Sequence, residues 1–312
     1  MNQSTPAPNL VYIGVDVSLK TLQCHGLARR KQVPNTPAGH AKLLELLPAQ
    51  GHVVMESSGG YERALWLALL RDARRVSRLN ARRVHALGCA KGQWVKNDPK
   101  DAALLAEFGS CRHPQPDVLP PEVVLELQDL VARRYQLVEQ RALCDVQAQQ
   151  LARQSLKDQA AQLMEYLGQQ IKELDGQIAH CLQDSELAPK ARRLRQVRGV
   201  GPGLCATLLA DMPELGRLSD TQAAALAGVA PYDDDSGQHR GARHIRGGRS
   251  KVRRALYMAA LSASQHNPIL RAFHQRLLNK GKPFKLAITA VMRKLIILLN
   301  RLIREPHFTL AT

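Results

Sequence analysis

The first 110 residues alternate between short apolar runs and segments with helical periodicity. The apolar runs VYIGVD (residues 11–16), HVVME (52–56) and RVSRL (75–79) predict buried strands, and residues 21–27 can pair with the first run as a hairpin. The periodic segments predict helices over 38–47, 62–70, 81–90 and 98–108. A strand hairpin followed by alternating helices and strands predicts an α/β sheet with mixed strand directions.

The pattern changes after the proline-containing stretch 114–121. Apolar positions then recur every seven residues at Leu130, Leu137, Cys144 and Leu151, although charged residues such as Arg134 interrupt the seam. This spacing predicts long amphipathic helices, arranged either as a coiled-coil arm or as a simple helical bundle. Pro189 opens a third part that is mainly helical. We therefore expect three domains, over residues 1–112, 113–189 and 190–312.

Charge is distributed unevenly along the chain. The formal net charge is +17, and residues 190–312 hold 22 basic and 7 acidic side chains. Such a block attracts polyanions through counterion release and long-range steering. A solubilising surface or affinity for anionic lipid would also use positive charge, but no lipid-binding amphipathic helix is evident. We therefore expect nucleic acid to be the partner.

No segment predicts a membrane protein or an exported protein. The N-terminus MNQSTPAPNL is polar, and the most apolar stretch, residues 286–299, is interrupted by Arg293 and Lys294. The six cysteines are scattered without a CxxC pair, which argues against a zinc site or a disulfide framework. We therefore expect reduced thiols and a cytoplasmic protein.

Acidic residues occur at strand ends and at one helix start. Asp16 ends the first buried strand and Glu56 the second, while Asp98 and Asp101 are three residues apart at the start of a helix. Asp98 and Asp101 also suit helix capping, and Asp16 could simply begin a turn. An acid on an otherwise apolar strand is costly unless it is paired or metal-bound, however. Several carboxylates from different elements suit Mg²⁺ or Mn²⁺ bridging a phosphate.

A second group of candidate residues lies in PYDDDSGQHRGARHIRGGRSKVRR (231–254). Ser236 is followed by seven basic residues without an intervening acid, namely Arg240, Arg243, Arg246, Arg249, Lys251, Arg253 and Arg254. Arginines grip phosphate oxygens in pairs and can stabilise a pentavalent phosphorus centre, which would assist attack by a serine hydroxyl. On composition alone, a polar turn with a phosphate-binding face is the simpler interpretation.

The segment VRGVGPGLCATLL resembles a helix-hairpin-helix motif. Backbone amides at Gly199, Gly201 and Gly203 could hold a DNA phosphate at the start of the following helix. Such a contact would position a duplex without reading its sequence. A plain helix–helix turn explains the pattern equally well.

Three N-terminal segments and one C-terminal segment resemble a known family. GVDVSLK, VVMESSGGYERALWLALL and VKNDPKDAALLAEF, together with DDSGQHRGARHIRGGRSKVRRALYMAALSA, are similar to the DEDD transposases of insertion-sequence family one-ten, especially its eleven-eleven subgroup. The resemblance covers nearly the whole chain and is weakest over residues 112–190. Glu62 is a second candidate for the glutamate, ranked below Glu56 because it lies inside the following helix. One departure is Ala81, where the family commonly has proline.

The resemblance implies a fold, a mechanism and partners. It implies an RNase H-like (RuvC-like) N-terminal domain whose catalytic acids Asp16, Glu56, Asp98 and Asp101 bind Mg²⁺ or Mn²⁺, and a transposase domain whose nucleophile is Ser236. It also implies double-stranded DNA as substrate, a structured noncoding guide RNA, and a homo-oligomer between dimer and tetramer. The family is bacterial, so the resemblance implies a protein that associates with the nucleoid when it acts. The acids and the serine are far apart in the sequence, so a shared site would need close docking of the two domains, within one subunit or between subunits. The aromatic content of 4% is low for an RNA reader that works by stacking.

Two other functions use the same residues. A metal-dependent nuclease or junction resolvase would use the four acids with Ser236 inert, and would hydrolyse DNA without a covalent adduct. A non-catalytic nucleic-acid-binding protein would bind without cleaving. All three share the basic C-terminal region, so only the chemistry at Ser236 and at the acids separates them.

Overall fold

The computed structural model describes residues 10–28, 31–57, 59–92, 98–236, 239–241 and 243–309, with the backbone alone at 235, 236, 239 and 240. The side chains of Ser236 and Arg240, and the whole of Gly237, therefore lie outside the described residues. The chain divides into two compact units, Met1–Pro120 and Pro121–Thr312.

The first unit is built on one mixed sheet. Its strands are β1 (Val11–Val17), β2 (Thr21–His25), β3 (Gln32–Pro34), β4 (Gly51–Glu56) and β5 (Arg75–Leu79). Its helices are α1 (Pro37–Leu46), α2 (Arg63–Arg71), α3 (Ala81–Ala90) and α4 (Asp98–Arg112). The strand order is β3-β2-β1-β4-β5, with β1 antiparallel to β2 and parallel to β4.

This arrangement confirms the predicted mixed α/β sheet and is compatible with a RuvC-like domain. The central strands read as continuous apolar runs because both of their faces are covered: Ile13, Val15, Val53 and Val54 are fully buried. Strand β3 was not predicted, because it has three residues and only Val33 among them is buried. Ala81 begins α3 without a proline, since the Asn80 side chain accepts the N–H of Arg82 and caps the helix.

The proline-containing stretch after α4 is fastened to the first unit. The Asp117 N–H donates to the carbonyl of Val76 (2.7 Å). Its carboxylate accepts from the Trp66 indole N–H (2.8 Å) and the Arg78 backbone N–H (3.0 Å). The first compact unit therefore extends past residue 112.

The second unit is mainly helical. Its helices are α5 (Glu122–Ala148), α6 (Gln154–Gln183), α7 (Ala188–Arg195), α8 (Pro202–Asp211), α9 (Asp220–Leu226), α10 (Ser250–His266), α11 (Pro268–Asn279) and α12 (Phe284–Arg304). Between α9 and α10 lie four short strands, β6 (Pro231–Tyr232), β7 (Asp235–Ser236), β8 (His239–Arg240) and β9 (His244–Ile245).

Helices α5 and α6 pack against each other, and of the predicted heptad positions Leu137 lies in their buried cluster. Leu137 on α5 is buried against Leu167 and Ile171 on α6. Arg134, which interrupts the apolar seam, donates to Asp175 at 2.5 Å and so is paired across the two helices. A loop of residues 149–153 joins the helices, which form an antiparallel hairpin.

The core of the second unit surrounds α8, which is buried on all sides from Leu204 to Ala210. Asn300 on α12 is fully buried, and its amide accepts the Gly216 N–H and donates to the Leu218 carbonyl, both at 2.8 Å. A buried amide satisfied in this way ties α12 to the loop after α8. Among the described residues, no helix combines the length and hydropathy needed to cross a membrane.

Candidate functional site

Two of the predicted acids lie on adjacent parallel strands. Val15 of β1 pairs with Met55 of β4, which places Asp16 and Glu56 at the next position along the two strands. Glu56 is the last residue of β4, and Asp16 is the last but one of β1. The carboxyl ends of parallel strands meet at one edge of a sheet, so both acids belong to that edge.

The other two acids reach this edge because α4 lies directly on β1. A Cβ atom added to Gly14 would lie 1.8 Å from the Ala102 carbonyl oxygen and 2.6 Å from the Ala106 nitrogen. A Cβ on Gly109 would lie 2.5 Å from the Tyr12 ring. The helix therefore runs antiparallel to β1, and its first turn, with Asp98 and Asp101, lies towards Asp16.

The electrostatics of Asp16 reflect this convergence. Burial raises the pKa of Asp16 to about 6, and the negative charges of Asp98, Asp101 and Glu56 raise it further. Among the described residues, however, no group of three or more His, Cys, Asp or Glu side chains is close enough to hold a metal ion. The four carboxylates thus influence one another without forming a closed ligand cage. Their oxygen donors and mutual repulsion fit a divalent cation.

Glu62, the second candidate for the glutamate, has a different environment. It is buried, accepts the Gly60 N–H at 2.9 Å and lies 3.8 Å from the Arg78 guanidinium. Arg78 in turn stacks over the Trp66 ring at 3.8 Å. These contacts hold α2 against β5, which is a structural role for Glu62.

Ser236 lies on a two-tier β-ribbon. Strand β6 pairs with β9 at the base, and β7 pairs with β8 above it, so that Ser236 is opposite His239 next to the turn. The base is held by glycines at positive φ: a Cβ on Gly248 would lie 2.2 Å from the Gly228 nitrogen. Arg253 also donates to the Gly247 carbonyl at 2.6 Å. The sequence pattern did not predict this ribbon, because each strand is only two residues long.

Several of the basic residues after Ser236 are paired within the protein. Arg249 donates two hydrogen bonds to Glu214 (2.6 and 2.7 Å), and Arg254 is paired with Glu139. Arg243 lies 2.5 Å from Asp233, and Arg246 lies 3.9 Å from Asp234. The Glu214 pair is half-buried. Burial raises the pKa of Glu214, but the hydrogen bond and charge of Arg249 outweigh it and bring the pKa below its usual value.

The glycines of the predicted helix-hairpin-helix turn differ in how closely other atoms pack against them. Gly199 has φ +100°, and a Cβ there would lie 2.6 Å from Ala263 of α10, so this glycine is required for packing. Around Gly201 and Gly203 no atom lies within 4 Å of an added Cβ. A shallow groove of about 410 Å³ borders these two residues. Gly201 and Gly203 thus have open space beside them, whereas Gly199, which also lines the groove, is closely packed against α10.

Sequence reasoning missed two residues that shape these sites. Gly14 sets the approach of α4, and a glycine inside an apolar strand is a recognised signal for close backbone approach. Glu214, the partner of Arg249, is 35 residues away in the sequence, and no local pattern marks it.

An acid-lined sheet edge in one unit and a basic, mainly helical second unit define the class of a nucleic-acid-processing enzyme. Residues 13–166 match a DEDD transposase model of the IS110 group, and residues 191–275 match the model described as Transposase IS116/IS110/IS902 family. Together the two matches cover more than half of the chain, which belongs to the IS110 family of transposases, enzymes that cut and rejoin DNA.

Curated relatives agree with this assignment. The chain is 26% identical to the pilin gene-inverting proteins of Moraxella lacunata and Moraxella bovis, over 94% of this chain and 96% of each relative. It is 29% identical over 143 residues to an insertion element IS110 uncharacterized 43.6 kDa protein of Streptomyces coelicolor, which covers 45% of this chain and 34% of that protein. The predicted resemblance to insertion-sequence family one-ten is confirmed at the level of the family.

Proposed function

We propose that this transposase cuts and rejoins the ends of an insertion sequence through a covalent serine–DNA intermediate, with Ser236 as the nucleophile. The observation that carries the proposal is the family match, whose two segments contain the acidic residues and the serine motif respectively. The position of Ser236 on a ribbon with a fastened base, flanked by arginines, supports it.

The serine step exchanges one phosphate ester for another. The Ser236 oxygen forms a bond to phosphorus, the bond from phosphorus to one deoxyribose oxygen breaks, and that oxygen leaves as a hydroxyl with the proton that the serine gives up. The phosphodiester energy is retained in the serine link, so rejoining requires no ATP. The basic residues from Arg240 to Arg254 and the open amides of Gly201 and Gly203 would hold phosphate oxygens.

Asp16, Glu56, Asp98 and Asp101 would hold Mg²⁺ or Mn²⁺, which when bound neutralises charge on the scissile phosphate. Burial, and after it the charges of Asp98, Asp101 and Glu56, raise the pKa of Asp16. A divalent cation would relieve that repulsion, which supports this assignment. The same observation favours a second candidate, a RuvC-like nuclease that hydrolyses DNA with no covalent intermediate.

Two further proposals follow from the family resemblance, and a third follows from the heptad spacing. A structured noncoding RNA pairs with donor and target DNA, the protein acts as a homo-oligomer of two to four copies, and the α5–α6 hairpin is a coiled-coil arm that follows a RuvC-like metal-binding domain and precedes a transposase domain in the chain. The heptad contacts between Leu137, Leu167 and Ile171 support the last of these. Sedimentation of the full chain with and without the RNA that flanks the element tests the first two.

The decisive experiment looks for a protein–DNA adduct that survives denaturant. The full chain is incubated with element-end DNA, Mg²⁺ and the flanking noncoding RNA, and Ser236→Ala and Asp16→Ala are compared with the wild type. Ser155→Ala, an exposed serine on α6, is the matched control. We expect an adduct with the wild type and the control only.

The alternatives give different results. Cleaved DNA without an adduct, unchanged in Ser236→Ala, would refute the serine mechanism and support the nuclease. Binding with no cleavage under any condition would refute both. An adduct that forms equally well without RNA would refute the guide role.

A further inference from the structure

A long acid-free run distinguishes the end of this chain. Residues 236–304 contain 16 lysines and arginines and no aspartate or glutamate. The serine-motif residues lie in the first third of this run. The remaining cations lie on α11, α12 and the turn between them.

The two parts of this run differ in their ion pairs. Acids outside the run pair with several cations of the first part, among them Arg243, Arg249 and Arg254. Within the described part of the chain, no carboxylate lies within 4 Å of the exposed cations around the α11–α12 turn, which are Arg276, Lys280, Lys282, Lys285 and Lys294; we name these five the turn patch. The five cations of the turn patch therefore keep positive charge that no described carboxylate offsets at close range.

The turn patch is a continuous surface. Lys280, Lys282 and Lys285 lie within six residues on the turn itself. Arg276 and Lys294 lie 5.4 and 4.3 Å from the centroid of the Phe273 ring, which joins the last turns of α11 to the middle of α12. Clustered like charges repel one another, and that repulsion is relieved when a polyanion binds.

We propose that the turn patch binds the phosphodiester backbone of duplex DNA, separately from the serine ribbon. Duplex DNA carries one negative charge about every 1.7 Å along its axis. A surface with five cations can therefore face several phosphates at once. Residues 276–285 contain one aromatic residue, Phe284, which is too few for a base-stacking platform. The inference rests on the action of this family on DNA and is independent of the serine mechanism.

The test compares two triple variants of the full chain that lose the same charge. The first is Lys280→Gln, Lys282→Gln and Lys285→Gln. The matched control is Arg153→Gln, Lys157→Gln and Lys172→Gln, which removes three exposed cations from the α5–α6 hairpin. The affinity for a duplex of unrelated sequence is measured by fluorescence anisotropy at several salt concentrations. Circular dichroism checks folding.

We expect the turn-patch variant to bind about 10- to 100-fold more weakly at ~0.1 M salt, with a log–log salt slope shallower by about 2 to 3. The control should change affinity by less than about threefold. Equal losses in both variants would overturn the proposal, because net charge alone would then explain binding. The proposal would also be overturned if the turn-patch variant bound the duplex normally but lost affinity for a structured RNA or for anionic vesicles. Normal duplex binding with a changed sedimentation coefficient would overturn it too, because the patch would then be an interface between copies of the chain.

The outcome is separable from that of the proposed function. At saturating protein, the turn-patch variant should form the same amount of serine–DNA adduct as the wild type, because its catalytic groups are untouched. If the wild type forms no adduct, the affinity comparison still tests the turn patch.

Discussion

At the scale of single residues, the absence of one side chain controls how the acidic site is assembled. Gly14 allows backbone contact between β1 and α4, and this contact brings Asp98 and Asp101 towards Asp16. The acidic residues would bind the metal ion, but their convergence depends on Gly14, which has no side chain.

We predict that Gly14→Ala destabilises the protein by about 1 to 3 kcal/mol or more, because the new methyl group would overlap the Ala102 carbonyl. It should also reduce Mg²⁺-dependent DNA cleavage. Chemical denaturation and a cleavage assay measure the two effects. Gly176→Ala on α6 is the control: an added Cβ there meets nothing within 4 Å, so it should be neutral or slightly stabilising. Equal stability of Gly14→Ala and the wild type would contradict the close packing.

We also predict that Asp16→Asn stabilises the metal-free protein. The pKa of Asp16 is raised to about 6 by burial and by neighbouring carboxylates, so its charged form is disfavoured at neutral pH. Removing that charge should contribute roughly 1 kcal/mol after allowance for solvent screening, which corresponds to a few degrees in Tm. Differential scanning fluorimetry in EDTA measures this. Added Mg²⁺ should raise the Tm of the wild type and not that of the variant, and an unchanged or lower Tm of the variant in EDTA would argue against repulsion at this site.

At the scale of elements, the serine ribbon depends on contacts made at its base. Arg249 immediately precedes α10, and its bidentate pair with Glu214 connects that helix to the loop after α8. Arg253 and the close contact between Gly228 and Gly248 fix the other side. The sequence motif predicts phosphate contacts for Arg249 and Arg253. The structure shows that both also hold the base of the ribbon in place.

We predict that Glu214→Gln lowers the free energy of unfolding by roughly 1 to 3 kcal/mol at pH 7, below the effect of breaking a fully buried pair, since both side chains are partly exposed. The pKa of Glu214 is lower in the folded protein, so its contribution is present above the ordinary pKa and is lost as pH falls through the lowered value. The difference between the wild type and the variant should therefore shrink as pH falls below about 4.5.

Urea denaturation from pH 7 down to about pH 3, below the ordinary pKa of glutamate, measures this difference. Glu165→Gln, an exposed acid on α6, is the control and should change stability by less than about 0.5 kcal/mol. A difference that stays constant over the whole pH range would show that the charge of Glu214 is not what holds the ribbon base.

At the scale of the whole molecule, the chain has two compact units, and charge is distributed unevenly within the second. The α5–α6 hairpin region, residues 121–189, holds 6 basic and 11 acidic residues, whereas residues 190–312 hold 22 basic and 7 acidic ones. The hairpin region is therefore repelled by DNA while the rest of its unit is attracted. This contrast favours DNA contacts in the part of the second unit after residue 190.

Each unit has its own hydrophobic core, so we predict that Asp16→Asn and Glu214→Gln act on separate unfolding transitions. Calorimetry should show the first variant shifting one transition upward and the second shifting the other downward. The double variant should show both shifts unchanged, since distant independent sites add. A single transition that both changes move would contradict independent unfolding.

Local sequence determined much of this protein. Apolar runs and helical periods predicted the strands and helices of the first unit, because strand and helix each impose a fixed period on buried side chains. The acidic residues and the serine motif were recognisable from neighbouring residues. By contrast, β3 and the serine ribbon were not predicted, because their strands are too short to establish a period.

Tertiary structure alone decided which of these residues meet. The charges that act on Asp16 come from β4 and α4, up to 85 residues away in the sequence. Glu214 and Arg249 form an ion pair although 35 residues separate them in the sequence. The pairing of Arg243, Arg249 and Arg254 with acids, and the lack of such partners at the turn patch within the described residues, likewise follow from chain folding. The physical reason is that charge interactions act through space, whereas sequence patterns report only on neighbours along the chain.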